Sequence, residues 1–175
     1  MMNTILESDR RFGVLMWDPS GDRVAAVGCC AEIVHYQRLP DDRMKMLALG
    51  QQRFRVLDMV REKPYLVGLV EWIEDRPTDK ELRNMAKDVE ELLKDVVRLS
   101  GKLMEQEIDL PEDIPCLPRE LSFWVASNLY GVAAEQQALL EMEDTATRLE
   151  REMEILTSTR NHLAARTVLK DTFLQ

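Results

Sequence analysis

Hydrophobic periodicity changes once along this chain, at Pro77, and that change limits the folds open to it. Before Pro77, apolar residues alternate or run in short blocks between turn signals; after it they recur every three to four residues. Strands followed by helices build an α+β protein, in which helices are segregated from an antiparallel sheet. The pattern divides the chain into a β domain over 1–77 and a helical domain over 78–175.

In the first part, "FGVLMW" is a short apolar strand, and Asp18, Pro19 and Gly21 follow it as a turn. "RVAAVGCCAEIVHYQRL" is a long second strand in which Gly28 marks a bulge or bend. The turn residues of "LPDDR" (Leu39 to Arg43) lead into "MKMLALGQQRFRVLDM", with a possible bend at Gly50. Pro64 ends that pairing, and "YLVGLVEWIED" is a fourth strand. Strands at this spacing predict an antiparallel barrel or sandwich. Strand alternation sets Phe54 and Val56 on one face and Arg53 and Arg55 on the other. The two arginines are then solvated, paired with a carboxylate, or placed to grip a partner.

The second part opens with Thr78, an N-cap candidate whose capping box Glu81 completes. Leu82, Met85, Val89, Leu92, Leu93, Val96 and Leu99 give an amphipathic stripe, and the helix is expected to reach about Glu105. Pro111, Pro115 and Pro118 make a stiff connector, with Pro118 suited to a first helical turn. "RELSFWVASNLYG" reads as a buried helix that Gly131 stops just after Tyr130, and "VAAEQQALLEMED" as a short one. From Thr145 a long charged helix follows. Leu149, Met153, Leu156, Leu163 and Leu169 are its sparse stripe, and Arg148 and Glu152, four apart, are spaced to pair for about a few tenths of a kcal/mol. Past Arg160 its thin apolar face is expected to fray or to pack on a partner.

Charge and chemistry remove several function classes. Residues 1–77 hold 11 basic and 12 acidic residues; 78–175 hold 12 and 20, for a total of −9. Such a balance lacks the basic face of a nucleic-acid binder. No apolar run reaches the roughly 18 residues of a membrane span, and the N-terminus has no secretory pattern, so the expected compartment is the cytosol. Cys29, Cys30 and Cys116 are read as reduced thiols without metal-finger spacing. No phosphate loop, dinucleotide fingerprint, zinc-protease helix or nucleophile elbow occurs. His35 and His162 read as surface or packing residues, and Glu90-Glu91 and Glu112-Asp113 as solvated faces. No catalytic residue, cofactor or metal site is expected.

Several ordered motifs then carry a resemblance. Gly28, Ala31, Glu32 and Ile33; Leu39 to Arg43; Gly50, Arg53, Phe54 and Arg55; and Pro64, Tyr65, Leu66, Val70 and Glu71 resemble successive strand motifs of the N-terminal domain of Lon ATP-dependent proteases. The segment "FWVASNLYGVAAEQQALLEMEDTATRLEREMEIL" is similar to the helical subdomain that follows that barrel. The resemblance implies a PUA-like pseudo-barrel of antiparallel strands, a helical subdomain, and recognition of unfolded or tagged protein substrates. It also implies a free-standing form, of the kind found in cyanobacteria and plastids, without the ATPase and Ser-Lys peptidase. A plastid stroma is then the expected compartment in a plant or alga. The family begins with an apolar strand resembling "LPLFPL", whereas Met1 to Leu6 aligns with the short helix after it. If Met1 is the true start the barrel has an unpaired edge, and the readings open are a misassigned start, which is favoured, a truncated form, or a strand supplied by a partner. Two departures follow: a barrel edge open to pairing, homo-oligomers included, and Asp42 where the family has Gly.

The expected function is therefore a non-catalytic binding module for unfolded polypeptide, with Trp17, Arg53, Arg55, Tyr65 and Trp72 as candidate contact residues. The alternative is an assembly or regulatory partner of a Lon or Clp-type protease, acting through the C-terminal helix.

Overall fold

The computed structural model describes residues 1–18, 21, 23–41, 43–78, 80–111, 113–129 and 133–173. Pro19, Asp42, Glu112, Tyr130 and Gly131, invoked above for turns, an acidic face and a helix stop, lie outside the described residues. Contacts divide the chain into two compact units, Met1–Glu74 and Asp75–Gln175.

The first unit starts with a short helix, α1 (Met2–Leu6), then β1 (Arg11–Val14), β2 (Trp17–Asp18), β3 (Arg23–Val24), β4 (Val27–Arg38), β5 (Met44–Arg61) and β6 (Val67–Ile73). The four expected strands have become six, because two of the long runs are interrupted. Trp17 leaves the first run to pair with Val24, and the Ala25 N–H donates to the Met16 carbonyl (2.8 Å), making a separate small hairpin. The main sheet is antiparallel in the order β1-β4-β5-β6.

Two bulges shape the β4–β5 pair. Cys29 faces Arg53 but Ala31 faces Gly50, so β5 carries one extra residue there. Ile33 faces Ala48 but His35 faces Leu47, so β4 carries the next. The first shifts the register by one residue and the second restores it; each adds local twist. Gly28 is not itself the bulge. A Cβ on it would strike the Val14 carbonyl oxygen and the Leu15 side chain, so this glycine lets β1 lie close. Up to Ile33 the strand is buried on both faces, and the core gathers Val27, Cys30, Ile33, Phe54 and Ile73. From Val34 to Arg38 every residue is exposed, as are most of Lys45 to Gly50, so the far half of this hairpin forms an arm. The Leu39 N–H to Arg43 carbonyl bond (2.8 Å) closes its tip.

The second unit holds α2 (Leu82–Met104), α3 (Pro118–Ser127), α4 (Ala133–Glu141) and α5 (Thr145–Phe173). Helix α2 begins later than the capping box suggested: the Thr78 hydroxyl accepts from the Lys80 N–H (3.3 Å), a local turn that competes with a cap. Its far end matches expectation, Glu105 closing it in the left-handed region at φ 55°. Pro118 sits in the first turn of α3. Helix α5 is capped by Asp144, whose carboxylate accepts from the Thr147 N–H (2.7 Å) and hydroxyl (3.0 Å). Those bonds hold the Asp144 carboxyl below the usual carboxylate range.

Helices α2 and α5 run parallel along their whole length. Lys80 pairs with Glu150 (2.6 Å) just ahead of α2, and further along Arg160 approaches Asp95 (3.9 Å) and Lys170 bonds Glu105 (2.6 Å). The turns of α5 beyond Arg160 therefore lie on α2, with Thr167 buried and the Lys170 ammonium donating to the Leu103 carbonyl (3.1 Å), rather than fraying. Between them lie Ala86, Val89 and Leu93 of α2, Leu121 and Val125 of α3, and Leu149 and Leu156 of α5. Among the described residues no helix is long and apolar enough to cross a membrane.

Candidate functional site

The first unit has a concave apolar face. Its cavity, about 660 Å³, is lined by residues of β1, β5 and β6, among them Phe12, Val14, Phe54, Val56, Val70 and Trp72. Phe54 forms its floor. It faces Gly28 on one side and Trp72 on the other in the sheet register, and its ring meets that of Trp72 edge-on (centroids 6.4 Å, 88°). Gly13 keeps the cavity open toward β1, since a Cβ there would stand 2.8 Å from the Phe54 ring.

Both rims of this face are sheet edges: among the described residues β1 pairs with β4 alone and β6 with β5 alone. Leu66, about half exposed, extends the lining on the β5–β6 side, whereas Leu57, Val60 and Leu69 are exposed on β5 and β6 but are not among the lining residues. An open edge beside apolar side chains is a template for a further strand.

The five residues singled out from sequence are not one cluster. Trp72 is 53% exposed and lines the cavity. Trp17 is 55% exposed but belongs to the small β2–β3 hairpin. Tyr65 is half-buried in the β5–β6 turn under the Arg61 guanidinium, which lies 4.8 Å from the ring centroid. Arg55 is half-buried, opposite Val27 and Glu71. Arg53 is 4% exposed, so of the readings given to it solvation is excluded. It lies in the central strand between Cys29 and Ile73, where the sheet is covered on both faces, and strict alternation fails. The apolar lining residues were passed over in the sequence because each reads there as ordinary strand core.

Burial pushes the thiols of Cys29 and Cys30 up, and Cys116 is exposed. Among the described residues, no group of three or more His, Cys, Asp or Glu is placed to hold a metal ion.

The helical unit contains a buried polar cluster built around the two residues expected to pair. Arg148 and Glu152 are both fully buried and do not pair with each other directly. The Arg148 guanidinium donates to both Asp75 carboxylate oxygens, to the Met142 carbonyl (3.0 Å) and to the Ser122 hydroxyl (2.7 Å), and stacks 3.9 Å from the Phe123 ring centroid. Ser122 in turn donates to Glu152 Oε1 (2.9 Å), while Oε2 has no hydrogen-bond partner among the described residues. Burial outweighs the Ser122 bond and the Arg148 charge and pushes the Glu152 carboxyl up to about 8. The expected Arg148–Glu152 pair does not form, because the stripe of Thr145, Arg148, Leu149, Glu152 and Leu156 faces inward and Ser122 stands between the two groups.

The sequence profile described as the ATP-dependent protease La (LON) substrate-binding domain matches residues 1–158. The chain is 30% identical over 148 residues to a Lon protease of Anaeromyxobacter dehalogenans, covering 83% of this chain and 17% of that one. It is 29% identical over 148 residues to Lon protease 2 of Myxococcus xanthus, covering 83% and 18%. The chain thus spans about a sixth of the length of these relatives. The crystal structure of a Lon N-terminal domain protein from Xanthomonas campestris superposes with a TM-score of 0.58 at 23% identity, covering 85% of this chain and 78% of that one. The N-terminal domain of a Mycobacterium avium complex Lon protease superposes at 0.62 with 17% identity, covering 89% and 82%. At these identities the two structures speak for the fold alone.

Proposed function

Because the chain belongs to the family of Lon substrate-binding domains, we propose that it is a non-catalytic module that captures unfolded or tagged polypeptides. The observation that carries this reading is the open apolar cavity flanked by two sheet edges. An unfolded segment offers extended backbone and apolar side chains. Its backbone adds to the β6 or β1 edge, and alternate side chains enter the cavity. Each new hydrogen bond contributes about 1 kcal/mol net, and each large apolar side chain buried about 1.5–3 kcal/mol. The ordering cost of the captured segment offsets much of that gain. Micromolar, reversible capture is the natural regime, and it suits a module that must hand its cargo on.

Trp72 is the central contact in this reading, with Trp17, Tyr65 and Arg55 at its margins. Capture needs neither nucleotide nor cofactor. It takes place in the cytosol, or in the plastid stroma of a plant or alga, and delivers cargo to a protease. Fluorescence anisotropy of a labelled, permanently unfolded polypeptide tests this without nucleotide, with a folded protein as control. Saturable binding of the unfolded probe alone is expected; equally poor binding of both refutes it.

A second reading, attachment to a protease subunit through α5, draws on Val168 and Leu169, which are 65% and 57% exposed near the helix end. Truncation after Leu156 then abolishes the complex and leaves the β unit folded.

A further inference from the structure

The helical unit, which carries most of the negative charge, nevertheless has one groove walled by cations. Two adjoining cavities of about 550 and 520 Å³ run between α2 and the proline-rich connector, sharing Lys94 and Leu110 in their linings. Arg83, Lys87, Lys94, Arg98 and Lys102 line them along α2, at spacings that keep all five on one helix face. Among the described residues only Glu90, Glu107 and Asp109 bring acidic groups to the same linings. Apart from Gln106 and Cys116 the rest is apolar, chiefly Val97, Ile108, Leu110, Ile114, Leu117 and Leu121.

Two of the five cations have no local reason to be where they are. Lys94 pairs with Glu90 and Arg98 with Asp95, as helix neighbours do. Arg83 and Lys87 make no ion pair among the described residues. Arg83 also sits in the first turn of α2, where the helix dipole repels a cation and where the acidic group nearest in sequence is the N-cap Glu81. Unspent positive charge above an apolar floor calls for a ligand with both characters.

We propose that this groove binds an extended polypeptide segment in which acidic side chains alternate with apolar ones. This rests on the substrate-capture reading and adds to it a second contact with a charge preference. From Arg83 to Lys102, α2 rises about 28 Å at about 1.5 Å per residue, which an extended segment of about eight or nine residues spans. Alternation then turns apolar side chains to the connector floor and carboxylates to the α2 wall. A bare polyanion satisfies the wall but leaves the floor exposed, so the groove fits it less well.

Cys116 lines the groove and is exposed, whereas Cys29 is half-buried and Cys30 buried, so a local probe is already present. The full chain is titrated with three labelled ten-residue peptides, alternating Glu-Leu, alternating Lys-Leu and all-Glu, and with inorganic polyphosphate. Anisotropy and the rate of Cys116 alkylation are followed together. The Glu-Leu peptide should bind best, lose affinity as salt rises, and slow alkylation. The R83E/K87E variant should lose about tenfold in affinity, the sum of two exposed contacts removed and two repulsions added. An acid at position 83 suits the first turn of α2, and far-UV circular dichroism checks that the double variant keeps its fold.

Unchanged affinity and unchanged Cys116 protection in R83E/K87E overturn the proposal, as does equal binding of the Lys-Leu peptide. Polyphosphate that displaces the Glu-Leu peptide and binds more tightly also overturns it, assigning the groove to polyanions instead. A permanently unfolded polypeptide that binds wild type and R83E/K87E equally leaves the capture reading standing and removes this groove from it. Absence of any binding of that polypeptide removes the capture reading itself.

Discussion

Replacing Glu152 by Gln should make the protein more stable in mild alkali and no more stable in mild acid. The Glu152 carboxyl is fully buried, and its environment pushes it up to about 8. The folded state therefore keeps a proton that the unfolded chain gives up in the ordinary carboxylate range. Its favourable effect is complete below that range and is lost as pH rises, fully so above about 8. Each pH unit across that window is worth about 1.4 kcal/mol, so the full span approaches about 5 kcal/mol, an upper bound because Ser122 and Arg148 relax when the charge forms. Gln keeps the shape and can accept the Ser122 hydrogen bond, but does not ionise. The assay is urea unfolding of both proteins, followed by far-UV circular dichroism, at several values between about pH 5 and about pH 9. The variant-minus-wild-type difference isolates this one group from the chain's other carboxylates. It should rise steadily toward high pH and level off above about 8. A difference that stays flat across the window refutes the burial of a protonated carboxyl between α3 and α5.

Arg148→Met leaves the Asp75 carboxylate buried without its main cation and should cost about 3–5 kcal/mol in urea unfolding, whereas Arg98→Met, whose pair with Asp95 is exposed, should cost under about 1 kcal/mol. Gly28→Ala should destabilise strongly, by more than about 2 kcal/mol, because the new methyl meets the Val14 backbone, while Gly50→Ala should be tolerated, its methyl meeting only the Cys29 sulfur at 3.5 Å. Trp72→Ala should weaken capture of an unfolded probe by about tenfold or more, with little loss of stability, since half of the side chain is already exposed.

What the sequence reveals, and where it misleads, follows from how far local pattern reflects burial. The proline connector and the stripe of α2 are local signals, and the structure uses them as read, while the two compact units divide at Glu74, ahead of the change of period at Pro77. Alternation around Arg53 misled because it presumes one wet face. Strand β5 crosses the middle of the sheet there, and both faces are covered. The paired bulges at Ala31 and His35 leave no signature beyond Gly50, since either strand can absorb an extra residue. Arg148 and Glu152 read as a pair from their spacing, yet they share a buried helix face with Leu149 and Leu156, and each bonds Ser122 there instead of the other. The cavity was invisible because Phe54, Val70 and Trp72 become one surface only through cross-strand pairing. The cation wall was hidden by composition, since a net charge of −9 averages away a one-sided helix.

Hydrogen–deuterium exchange of the full chain, with and without a saturating permanently unfolded polypeptide, tests the capture surface most directly. Bound polypeptide should slow exchange along β6, Val67–Ile73, or along β1, Arg11–Val14, whose outward amides a new strand would engage. Saturable binding with both edges exchanging as fast as in the free protein contradicts strand addition at this cavity.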